Sequence, residues 1–172
     1  MQYLTPLLRQ LERLSFTPAE RGMVYAYVTV AGFGAALGLN VVLTLGGVAA
    51  AIAPFSTYDY WVILSSAVGA CAGLYLGRHR LGNEGKRGLM QAAFGMIWVS
   101  FVGALIGGTL ALPFYGTMFG PFTLIMSLIN APVLALLWAC SLISAHIMIK
   151  QRRVERDSIL FVELPQNSSN YF

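Results

Sequence analysis

The spacing of ionised residues constrains this chain more than any motif does. Asp, Glu, Lys and Arg are absent from residues 22–58, from 60–77 and from 88–149. A helix crosses the hydrocarbon of a bilayer with roughly 20 apolar residues. The first gap accommodates one crossing and the second is the length of one. The third holds two, with Pro113-Phe114-Tyr115-Gly116 and Gly120-Pro121 as the breakers between them. The expected fold is all-α: an integral membrane four-helix bundle with spans at about 23–53, 58–77, 89–112 and 122–149. Composition agrees, because only 10% of the residues are charged, against about 25% in an ordinary soluble domain. At 57% apolar, 172 residues carry more hydrophobic surface than their own core can hide, so much of it has to face lipid.

Sidedness follows from the 11 Lys and Arg residues. Arg9, Arg13 and Arg21 precede the first span. Arg78, Arg80, Lys86 and Arg87 lie between the second and third, and Lys150, Arg152, Arg153 and Arg156 follow the fourth. With an even number of crossings all of these fall on one side, where only Asp59 lies opposite. Basic loops remain cytoplasmic, so both termini are expected in the cytoplasm of a cell with an inner membrane. Arg78, Arg80, Lys86, Arg87, Lys150, Arg152 and Arg153 are the candidate contacts for anionic lipid headgroups. Their scatter among short membrane-flanking loops argues against a nucleic-acid partner.

Residues 17–157 are assigned to the bundle, with an appendage at each end. In residues 1–16, Leu4, Leu7, Leu8, Leu11 and Leu14 recur at helical spacing opposite Arg9, Gln10, Glu12 and Arg13. This reads as an amphipathic helix lying in the headgroup layer. Thr17-Pro18-Ala19-Glu20 has the form of a helix start, with Thr as cap, Pro at the first position and Glu returning to the cap. Ser56 or Thr57, with Asp59 in the first turn, gives the second span a comparable start. Residues 158–172 form a cytoplasmic tail whose apolar run Ile159-Leu160-Phe161-Val162 invites docking.

Within the spans, small residues recur every fourth position. They are Gly34 and Gly38; Ser65, Gly69, Gly73 and Gly77; Gly103 and Gly107; and Ala131, Ala135 and Ala139. Helices in lipid associate by close backbone approach along such stripes. The stripes therefore serve either packing of the bundle or a helix from a partner, with that of the second span as the candidate for the latter. Uncharged polar groups are the other feature at depth. Asn40, Ser65, Ser66 and Asn130 fall near the middle or outer half, and Asn130-Ala131-Pro132 is expected to kink the fourth span. Asn40, Asn130 and Pro132 thus define a candidate polar lining, the alternative being hydrogen bonds that lock helices together.

Groups for catalysis are sparse. His79 and His146 do not sit as a pair facing across helices, Cys71 and Cys140 do not form a CxxC, and no metal-binding or phosphate-binding motif occurs. No cofactor is expected beyond a lipid, quinone or pigment near Trp98 and Trp138, whose indoles fall at mid-depth. The leading expectation is a non-catalytic accessory or scaffold subunit of a larger bacterial inner-membrane complex, in contact with lipids and other integral subunits. A small channel or facilitator for an uncharged solute is the alternative. A membrane assembly factor using His79, Glu84 and His146 at the basic face is a third.

Overall fold

The computed structural model describes residues 18–52, 54–83 and 85–162. The amphipathic segment at 1–16, the Thr17 cap and the tail from 163 onward lie outside the described residues. Among those described there is helix and no strand. The elements are α1 (Pro18–Ile52), α2 (Thr57–Gly77), a short 3₁₀ turn at Arg78–Arg80, α3 (Gly85–Ala111), α4 (Tyr115–Asn130) and α5 (Pro132–Val162). Four segments are long and apolar enough to cross a membrane: Glu20–Gly47, Thr57–Arg80, Gly85–Ala111 and Pro132–Arg156. The chain is a multi-pass membrane protein.

Local chemistry sets the boundaries. α1 is interrupted at Gly47, whose φ of 58° is one that side-chain-bearing residues seldom adopt. α2 opens with a capping box: the Asp59 amide donates to Ser56 Oγ at 3.2 Å, and the Ser56 amide donates to Asp59 Oδ2 at 2.7 Å. α3 ends where its last carbonyls lose intrahelical partners. Two α2 side chains supply replacements, the Trp61 indole N–H to Leu110 O at 2.9 Å and the Tyr58 hydroxyl to Ala111 O at 3.5 Å.

The fourth crossing differs from the expected single kinked span at 122–149. Pro132 lacks the N–H that would continue a helix, and the chain breaks at Ala131 into two helices. Pro121, read in sequence as part of the turn, lies inside α4. With 16 residues α4 is about 24 Å long, too short for a hydrocarbon core of about 30 Å. The crossing belongs to α5, and α4 is a fifth, shorter helix.

Packing is sequential. α1 lies between α5 and α2, α2 between α1 and α3, and α3 between α2 and α4, while α4 touches α1 and α5 only sparsely. The helices thus follow one another in a curl whose α4 side is the most loosely packed. Gly69 and Gly73 of α2 face Gly103, Gly107 and Val99 of α3 so closely that a Cβ on either glycine would stand 2.5 Å from a backbone oxygen. Gly34 and Gly38 of α1 abut the side chains of Ala70 and Ser66 of α2, each 2.6 Å from where a Cβ would stand. α4 meets α3 through Gly116 and Gly120 against Gly108 and Ala104.

The two ends of the curl are unlike. Gly22 lies against Met148, the Gly82 amide donates to His146 Nδ1 at 3.0 Å, and the Arg153 guanidinium binds Asn83 Oδ1 and the carbonyls of Arg78 and His79. These contacts gather the start of α1, the α2–α3 connector and the far end of α5. Every Lys and Arg among the described residues stands at this end. The adjoining half of the curl is a filled core of Val30, Leu74, Leu81, Val99, Leu142, Ala145 and Ile149.

Candidate functional site

The other half of the curl is hollow. A cavity of about 440 Å³ lies between α1, α2, α3 and α4, and Trp138 of α5 reaches into its deep end. Its walls are mostly glycine and aliphatic residues: Gly34, Leu37, Gly38, Val41, Val42 and Gly46 from α1; Val62 and Ala70 from α2; Gly103, Ala104, Gly107 and Ala111 from α3; Gly116, Phe119, Gly120 and Leu124 from α4. The small side chains that let the helices approach one another also leave this space, because a glycine seam brings two backbones together and offers nothing to fill the hollow beside them.

The polar groups of the wall are few and mostly engaged. The Trp138 indole N–H donates to Ser100 Oγ at 3.0 Å, and Ser100 in turn donates to Met96 O at 3.0 Å. The Ser66 hydroxyl donates to Val62 O at 2.9 Å and that of Thr123 to Gly120 O at 2.9 Å. A hydroxyl that donates to its own helix retains acceptor capacity. Ser127 of α4 is 7% exposed and also lines the cavity. Tyr58 and Asp59 line the opposite end, at the surface away from the basic residues. Tyr60 and Trp61 near the start of α2, Phe114 in the α3–α4 turn, and Tyr115 and Phe122 in the first turns of α4 are exposed.

The residues singled out in sequence are redistributed. Asn40 is half-buried on α1, Asn130 and Pro132 are exposed at the α4–α5 break, and none of the three lines the cavity. Ser66 does, so one member of the expected polar patch reaches the hollow. Gly34, Gly38, Gly69, Gly73, Gly77, Gly103 and Gly107 all meet neighbouring helices within the chain or the hollow they leave. Ser65, 2% exposed, faces the same seam, and its hydroxyl finds no hydrogen-bond partner among the described residues. The Ala131, Ala135, Ala139 stripe is not the buried face of α5. Ala139 is exposed, and the buried face is Trp138, Ser141, Leu142, Ala145 and Ile149. Pattern alone could not choose between these faces, since α5 is apolar on both.

The two mid-depth tryptophans also separate. Trp138 is 6% exposed at the cavity floor, whereas Trp98 is partly exposed, with the Arg80 guanidinium 4.4 Å from its ring centroid. Of the candidate headgroup contacts, Arg78, Lys86, Arg87 and Arg152 are exposed, while Arg80, Lys150 and Arg153 are half-buried. Arg153 is occupied by the connector, and Arg78 lies 4.2 Å from the Tyr75 ring centroid. His79 is exposed, the Glu84 side chain lies outside the described residues, and His146 accepts the Gly82 amide. Cys71 is half-buried and Cys140 exposed. Among the described residues no three His, Cys, Asp or Glu side chains come together.

No known protein family, curated protein or solved structure matches this chain.

Proposed function

We propose that this chain is a non-catalytic subunit of a bacterial inner membrane that holds one apolar, chain-like ligand in the hollow half of its curl, as an accessory to a larger membrane assembly. The cavity of about 440 Å³ carries this reading. Its volume lies in the range of small-molecule sites, about 300–1,000 Å³, and such sites are mostly apolar with a few placed polar groups. Ser66, Ser100 and Thr123 donate to carbonyls of their own helices, which leaves their oxygens as acceptors toward a ligand. By the positive-inside tendency the basic end faces the cytoplasm, which puts the cavity in the outer half of the bilayer.

The facilitator reading is less well supported. Below the Trp138–Ser100 bond the curl is filled by Leu74, Val99, Val30 and Leu142, and the asparagines it invoked stand away from the hollow.

The test is native mass spectrometry of protein released from a mild detergent. An apolar species at one per chain, lost when the lining residue Ala104 is replaced by Phe, is the expected outcome. Wild-type protein without any bound species overturns the reading, as does a species that the variant retains.

A further inference from the structure

The dimensions and charge of the cavity narrow what it can hold. It runs from Tyr58 and Asp59 to Ala70 along α2, and from Leu112, just past the end of α3, back to Ser100. Twelve residues of helix on each side give a length of about 18 Å. An apolar slot of that length takes one extended hydrocarbon chain. The slot is reached sideways, because α4 touches α1 and α5 only sparsely. A chain in the neighbouring leaflet therefore slides in without leaving the hydrocarbon.

The mouth selects the head. Asp59 is the one formally charged residue at that end among the described residues, and its Oδ2 already accepts from Ser56. Tyr58 and Tyr60 flank Asp59 in the first turn of α2, so a carboxylate and two aromatic rings stand at the same end of the cavity. Carboxylate and aromatic faces both attract an ammonium group. The same carboxylate repels a phosphatidylglycerol or fatty-acid head, which brings a net negative charge.

We infer that the cavity binds one acyl chain of an outer-leaflet phospholipid whose head carries an ammonium, of the ethanolamine or choline class, with the head at Asp59 and the chain end at Trp138. This rests on the ligand-holding reading above and specifies its ligand.

Trp138 is the reporter. Replacing the two other tryptophans, Trp61→Phe and Trp98→Phe, leaves a single indole that is 6% exposed and shielded from bulk lipid. The double variant is reconstituted in vesicles of phosphatidylcholine brominated near the chain end, and separately in phosphatidylglycerol with the same brominated chains. We expect strong quenching in phosphatidylcholine that is lost on adding Ala104→Phe. A competition series is expected to show about threefold weaker occupancy by phosphatidylglycerol, a difference that Asp59→Asn removes. Trp138 unquenched in both lipids overturns the inference. If native mass spectrometry still finds one apolar species per chain in that case, the ligand-holding reading stands and only the lipid assignment falls. Equal quenching by both lipids, unchanged by Asp59→Asn, overturns the head preference.

Discussion

Gly69 of α2 rests on Gly103 of α3, such that a methyl group added at Gly69 would stand 2.5 Å from the Gly103 carbonyl oxygen. Backbone cannot yield as a flexible side chain can, so Gly69→Ala must pry the two helices apart. Overpacking of this kind costs about 1–3 kcal/mol, and more where backbone is the obstacle. We expect Gly69→Ala to lower the thermal midpoint in detergent. Gly32→Ala, whose added methyl meets nothing within 4 Å, is expected to be neutral or slightly stabilising. A scanning measurement on the two variants side by side checks this, and equal midpoints would refute the close seam.

Ser100→Ala removes the acceptor of the buried Trp138 indole, 3.0 Å away. An orphaned buried donor costs about 1–3 kcal/mol. The expected outcome is a lower midpoint together with a shift in Trp138 emission. A Ser100→Ala protein as stable as the wild type would show that the indole finds another acceptor.

Arg153 of α5 holds the α2–α3 connector at three points, binding Asn83 Oδ1 and the carbonyls of both Arg78 and His79. Only a planar fork of donors reaches three such acceptors, so lysine is not an equivalent. Arg153→Lys and Arg153→Met are both expected to speed hydrogen exchange at the Gly82 amide, which bonds His146 in the same junction. Unchanged exchange in either variant would remove Arg153 from this role.

Phe114 adopts a φ of 70° at the α3–α4 turn, where the Tyr115 amide donates back to Pro113 O at 2.9 Å. This is a three-residue turn of the strained, positive-φ kind. Such a backbone costs about 1–3 kcal/mol in a non-glycine residue. Phe114 is 91% exposed, so its ring gives little packing in return. Phe114→Gly is expected to raise the midpoint by a small margin. A clear decrease would mean that the ring anchors the turn in the interface.

Much of this architecture is written in the positions of charge. The Arg21, Asp59, Arg78 and Arg87 boundaries delimit α1, α2 and the start of α3 because burying an ion in hydrocarbon is costly enough to override propensity. The α4–α5 region carries no such markers. Asn130-Ala131-Pro132 signals a disturbance there, but whether it bends a helix or ends one depends on what packs beside it. The cavity was harder still to anticipate. In water an apolar face points inward, whereas in lipid an apolar face points either way, so the pattern that separates Trp138 from Trp98 or Ser66 from Asn40 is absent from composition. The glycine stripes were visible, but the hollow they leave depends on where α4 turns away from α1.

A curl that is solid on one side and hollow on the other does not treat the two leaflets of its bilayer as equivalent. Molecules dissolved in the leaflet beside Asp59 meet an opening, while those beside Arg153 meet a wall. With the proposed orientation and ligand, the captured lipid is one already delivered across the membrane midline, so loading would report on lipid asymmetry as much as on lipid identity.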